Sequence, residues 1–191
     1  MKIIAWNVQG AKKCQLREEI RYLLKKQQLD LLFLIETMVS ESTTKHILPH
    51  LGFEFYDYIL LVNHSGGIWV MWNTKNMLAN VLLKEDRAIH MLVFDVLVQK
   101  FSIISGVYAP AQPSQKDVFW SHLRHLNSVI DHPWCLIGDF NELESPADKT
   151  GGSPATPSRL TRLPNFLNFA RLLHCQCWDA VSRGKNMCIT I

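Results

Sequence analysis

Leu29-Asp30-Leu31-Leu32-Phe33-Leu34-Ile35-Glu36-Thr37 is an apolar run that stops on a carboxylate. A strand with one face in water alternates apolar and polar residues, and this one does not. Its length and continuity predict a short strand covered on both faces by other layers. Upstream, Lys2 to Val8 reads as a second short buried strand. Arg17 to Gln28 reads as a helix with Leu16, Ile20, Leu23 and Leu24 on one side. Strand, helix and strand in that order place a helix over a sheet from the first forty residues.

Working outward, Ser40 to Thr44 opens a short helix that closes near Gly52. A β-rich middle follows: Phe53 to Val62, Ile68 to Trp72, Leu78 to Leu83, Ile89 to Val98 and Phe101 to Tyr108. Turns at Gly66-Gly67 and Asn73 to Asn76 divide it, and the short gaps predict antiparallel meanders. Asp117 to Ile130 reads as a helix with Phe119, Leu123, Leu126 and Ile130 aligned. Trp134 to Ile137 is another buried strand, running into Gly138-Asp139-Phe140-Asn141. A Gly/Pro/Ser-rich loop spans Glu142 to Ser158. A last helix covers Leu160 to Leu173, with Pro164 a candidate for its first turn, and Ser182 to Ile191 shows no pattern. Residues 1–191 read as a single domain, without repeat or linker, of mixed α/β class. Two packed sheets with helices outside them is one layer solution among several that periodicity allows.

Composition sets the frame for function. The chain has 191 residues, 48% of them hydrophobic and 19% charged, which fits a folded domain and excludes wholesale disorder. A formal charge of +3 permits a polyanionic partner without demanding one. Five cysteines follow no zinc spacing (Cys175 and Cys177 make only a C-x-C) and read as reduced thiols. With no signal peptide, and no apolar run near the ~20 residues of a membrane span, the expectation is an intracellular protein, cytoplasmic or nuclear, with no membrane partner.

Three apolar strands end in polar residues: Ile3 to Trp6 in Asn7, Leu31 to Ile35 in Glu36, and Cys135 to Ile137 in Asp139, with Asn141 two residues on. If the strands lie side by side, these ends converge at one sheet edge, a frequent place for ligand sites. Period-two spacing points Asp139 and Asn141 the same way in extended chain. Carboxylates and amides without an ordered Cys/His set are hard oxygen donors, suited to Mg²⁺ or Mn²⁺ rather than zinc. Taken singly, each residue has a structural explanation. Asn7 fits an Asx turn, Glu36 a solvated strand end, Tyr108 packing, and Asp139 and Asn141 turn positions.

Taken together and in order, Trp6-Asn7-Val8-Gln9-Gly10, Leu34-Ile35-Glu36-Thr37, Gly66-Gly67-Ile68-Trp69, Val107-Tyr108-Ala109-Pro110 and Gly138-Asp139-Phe140-Asn141 resemble the endonuclease/exonuclease/phosphatase superfamily. The wording is closest to the apurinic-endonuclease-like domain of plant LINE-type (non-LTR) retrotransposons. The resemblance implies a four-layer α/β sandwich of two mostly antiparallel sheets flanked by helices, and a Mg²⁺-dependent (or Mn²⁺-dependent) phosphodiester hydrolase that nicks DNA. It implies Glu36 as principal metal ligand with Asn7 beside it, Tyr108 on the scissile phosphate, Asp139 activating the attacking water, and Asn141 fixing water or phosphate. DNA phosphates are the implied partner, and a reverse transcriptase domain would share the parent polypeptide. Lys12, Lys13, Lys25 and Lys26 are basic candidates for the DNA backbone, or a solvated helix face.

The family also carries a late Asp and a terminal Ser-Asp-His that do not occur up to Ile191. Asp179 falls too early for the first. His46, His50, His64, His90, His122, His125, His132 and His174 lie away from the motifs. The resulting expectation is a degenerate or weakly active domain without its last strands, each missing group being worth ~10²–10³ in rate. An inactive nucleic-acid-binding remnant, and a phosphatase or abasic-site endonuclease of the same superfamily, are the alternatives.

Overall fold

In the computed structural model, residues 1–13, 15–62, 65–142, 157–170, 173–175 and 187–190 are described. Cys14, His64, Cys177, Asp179 and the loop over 143–156 lie outside them. The run that opens the sequence reading forms strand β2, Leu31–Ile35, buried at all five positions. It is central because both edges are paired. β1 (Ile3–Asn7) lies parallel on one side, with Asn7 opposite Ile35, and β4 (Ser65–Trp72) lies antiparallel on the other. β3 (Phe55–Val62) completes a sheet of order β1-β2-β4-β3.

Alternate residues of β2 serve different layers. Leu32 and Leu34 join Trp69 and Met71 beneath helix α1 (Leu16–Gln27), with Leu16, Ile20 and Leu23 against them. Leu31, Phe33 and Ile35 join Ile68, Val70 and Trp72 on the opposite face. That face meets a second sheet, whose Ile89, Met91, Val93, Ile104 and Ile137 complete the inter-sheet core. Burial of such aliphatic and aromatic side chains contributes ~1.5–3 kcal/mol each. Phe33 packs directly on Gly106: a Cβ added there would sit 2.1 Å from the ring.

The second sheet has the order β5-β6-β7-β8-β10-β9. β5 (Met77–Glu85), β6 (Ala88–Asp95) and β7 (Lys100–Tyr108) form the expected antiparallel meander. β8 (Trp134–Asp139) returns parallel to β7 after helix α3 (Pro113–Val129). Helix α4 (Pro157–Ala170) lies beside α3. Phe119, Trp120, Leu123, Leu163 and Phe166 of these helices pack on Val107, Trp134 and Leu136. The layers run helix, sheet, sheet, helix, as the resemblance implies. Among the described residues no helix is long and apolar enough to cross a membrane.

Several local readings are corrected. Residues 182–191, patternless in sequence, contribute β10 (Met187–Thr190), which pairs with β8 and with β9 (Leu173–Cys175). Pro164 lies inside α4 rather than at its start, and α3 begins four residues earlier than read, with Pro113 in its first turn. The strand read to Val98 ends at Asp95, whose carboxylate accepts the N–H groups of Leu97 (2.8 Å) and Val98 (3.1 Å) and turns the chain. The three polar-ended strands do not share a sheet: β1 and β2 belong to the first and β8 to the second.

Candidate active site

β1 and β2 run parallel, as do β7 and β8, so four strands deliver their carboxyl ends in pairs: Asn7 beside Ile35, and Tyr108 opposite Asp139. β1 and β8 face each other across the sandwich. The predicted convergence therefore spans two sheet edges. The Asn7 amide Nδ2 donates to Asp139 Oδ2 at 2.9 Å, and the Tyr108 hydroxyl donates to Glu36 Oε1 at 2.7 Å. Asn141 donates its backbone N–H to Asp139 Oδ1 (2.9 Å) and its side-chain Nδ2 to the Ala109 carbonyl (2.7 Å). All five residues singled out in the sequence meet here. Asn141, however, does not follow the extended spacing. Its φ is +50° and the strand ends at Asp139.

The local backbone is strained where the site forms. Gln9, Glu36, Met38 and Asn141 are four of the six described non-glycine residues with φ in the left-handed region. Such residues persist only where surrounding contacts over-determine them. Here the Gly10 N–H donates to the Glu36 carbonyl (2.8 Å), Ala11 to Thr37 (2.7 Å), Thr37 to Gly67 (3.3 Å) and Met38 to Gly66 (3.2 Å). These bonds lock the first two motifs and the Gly-Gly motif into one edge. Gly138, at φ +148°, allows β8 to pass β7, since a Cβ would lie 2.0 Å from the Val107 carbonyl oxygen.

Burial raises the Asp139 carboxyl above its ordinary range. The donors on Asn141 and Asn7 oppose the rise, nearby Glu36 adds to it, and Lys116 opposes it. Burial likewise pushes the Tyr108 phenol up, and the Glu36 and Asp139 carboxylates reinforce the effect while Arg87 opposes it. Tyr108 is therefore a fixed O–H donor at any physiological pH. The Arg87 guanidinium stands 5.6 Å from the Tyr108 ring centre.

Two carboxylates and an amide oxygen suit a hard divalent cation. Mg²⁺ usually takes one or two carboxylates and completes its shell with water and substrate phosphate. Glu36, Asn7 and Asp139 fit that pattern. Among the described residues no group of three or more His, Cys, Asp or Glu side chains gathers to hold a metal ion.

Sequence reading missed Arg87, Lys116 and Glu142. Lys116 is buried on α3, where it shares a stripe with Phe119, Trp120 and Leu123. A lysine within an i, i+3, i+4, i+7 apolar series was the available signal.

A family model described as the endonuclease/exonuclease/phosphatase family matches residues 4–191, and the chain belongs to that family. A comparison with curated proteins gave no match. Among solved structures, the AP endonuclease LMAP from Leishmania major is 14% identical, with a TM-score of 0.70 over 98% of this chain and 78% of that one. The endonuclease domain of TRAS1, a telomere-specific non-LTR retrotransposon, is 10% identical, with a TM-score of 0.69 over 98% and 82%. The 3′ phosphatase NExo from Neisseria, bound to product DNA hairpin, is 14% identical, with a TM-score of 0.64 over 100% and 86%. Likeness at these identities shows the shared fold.

Proposed function

We propose that this protein is a Mg²⁺- or Mn²⁺-dependent phosphodiester hydrolase that nicks DNA, of the kind that serves a mobile element. The observation that carries the reading is the pair of bonds Asn7–Asp139 and Tyr108–Glu36, which joins four strand ends into one half-buried acidic cluster. Resemblance to retroelement motifs supports the substrate, as do DNA-directed relatives of the same fold.

Glu36 and Asn7, with Asp139 adjacent, would hold the cation, which when bound supplies charge neutralisation on the phosphate and leaving oxygen. Asp139, fixed by Asn7 and the Asn141 N–H, accepts a proton from a water whose oxygen attacks phosphorus. The P–O bond opposite breaks, and its oxygen takes a proton from solvent. Tyr108 turns its hydroxyl from Glu36 to a phosphate oxygen, and Asn141 steadies the water or phosphate. Lys12 and Lys13 line a recess with Gln9, Gly10 and Met38 and would meet neighbouring phosphates of the DNA backbone.

Supercoiled-plasmid nicking in Mg²⁺ tests this, run beside Glu36→Ala and with EDTA. Nicking is expected, and both controls remove it. A folded protein that leaves plasmid intact, or nicks equally in EDTA, sinks the reading.

A further inference from the structure

Lys116 and Glu142 form an ion pair inside the α3–β8 layer, with side chains 2% and 0% exposed and Nζ 3.0 Å from Oε2. Buried charges are expensive, and apolar residues of similar volume commonly replace such pairs without loss of stability. A pair kept at this position invites a role beyond stability, and its bonds suggest one. The Lys116 ammonium directs a hydrogen bond to the backbone carbonyl of Asn141. Glu142 is held from the other side by the Trp120 indole N–H (3.3 Å), with the Arg162 guanidinium 3.9 Å away. Arg162 is itself anchored by Asp117 at 2.8 Å, so α3 and α4 both grip the residue that follows Asn141.

Asn141 is the residue in left-handed conformation. Its carbonyl is bound by Lys116, its N–H by Asp139 and its side chain by Ala109. Of these three restraints, only the Lys116 ammonium comes from a helix rather than from the ends of β7 and β8.

We propose that Lys116 and Glu142 are positioning residues: the buried pair clamps the Asp139-Phe140-Asn141 turn so that the Asp139 carboxylate faces Asn7. The clamp needs a cation long enough to reach from α3 and an anion that keeps it from drawing in water. The catalytic consequence rests on the reading of Asp139 given above; the mechanical one does not.

The test uses the full chain, with Lys116→Met, Lys116→Met/Glu142→Leu and Glu142→Gln. The double variant restores an uncharged, packed layer and is expected to melt near wild type. Amide hydrogen exchange over 138–142 is nevertheless expected to quicken by at least about 10-fold. Nicking should lose about 10–100-fold in kcat with KM nearly unchanged, as misplacement of a reacting group does. A double variant that melts like wild type and keeps both its turn protection and its kcat overturns the proposal, because the pair is then only structural. If wild type does not nick, the catalytic reading falls on its own and amide exchange decides the clamp. If the Lys116 variants do not fold, Glu142→Gln decides: quickened exchange in the turn supports the clamp, and unchanged exchange overturns it.

Discussion

Two polar networks penetrate the second sheet, and they are built on opposite plans. Along β6 and β7, the Trp134 indole N–H donates to Ser105 Oγ (2.8 Å), Ser105 meets His90 Nδ1 (2.7 Å), His90 Nε2 meets Glu85 (3.1 Å), and His122 Nε2 meets the same carboxylate (2.9 Å). Each donor there has an acceptor, and the residues sit in regular strands or a helix. At the strand ends, burial and then the nearby Glu36 carboxylate raise the Asp139 carboxyl against the donors on Asn141 and Asn7, and the backbone is left-handed at Glu36 and Asn141. The first network is a satisfied core device of the kind that favours one packing. In the second, burial keeps the Asp139 carboxyl raised despite its donors, a state that marks candidate functional sites. Burial and hydrogen bonding are common to both networks; neighbouring carboxylates and left-handed backbone mark only the one at the strand ends.

That contrast breaks most clearly at Glu36. Glu36→Ala is expected to reduce Mg²⁺-dependent nicking by about 10³-fold, while thermal unfolding followed by circular dichroism shows no loss of stability. A variant that unfolds instead would make Glu36 part of the scaffold. Tyr108→Phe follows, with a loss of about 10²-fold in kcat and a melting curve close to wild type.

Ser105→Ala reverses the pattern. It strands the buried Trp134 N–H, at a cost of about 1–3 kcal/mol in denaturant unfolding, and leaves nicking per folded molecule unchanged. Lost activity in that variant at full folding would show that the two networks communicate.

The smallest effect is a pH slope. Burial holds the His90 imidazole below its ordinary pKa, with Glu85 opposing. A base depressed in the folded state gives stability that is present above the ordinary histidine pKa and is lost as pH falls through it toward the folded value. The melting temperature should therefore decline as pH drops below ~6.5, and His90→Gln should flatten that decline. An unchanged slope in His90→Gln would assign the acid sensitivity elsewhere.

The sequence carries much of this because its main signals are local. An apolar run ending in a carboxylate needs no distant information to be read, and β2 with Glu36 was found that way. Asn7, Asp139 and Asn141 follow from the same logic of strand ends, and Tyr108 entered through the resemblance alone. The division of these ends between two sheets was not legible, because strand order depends on which faces meet. Nor was the φ of Asn141, set by bonds to Ala109 and Lys116 from separate elements. Lys116 and Glu142 escaped because charge in sequence suggests exposure, and only tertiary packing encloses them. β10 is four residues long and defined by its partners β8 and β9 rather than by any pattern of its own.

Asn7 and Asp139 touch across 132 positions of chain. At synthesis rates of ~5–20 residues per second, Asn7 emerges roughly 7–26 s before its partner is made. Early in that interval, before β6 and β7 are made, the first sheet can pair β1 with β2 beneath α1, while its inter-sheet face, with Phe33 and Ile35, has nothing to rest against. A nascent chain would thus pass through a stage with the amino-terminal layers assembled and a broad apolar surface open, a point where a ribosome-bound chaperone would find its hold.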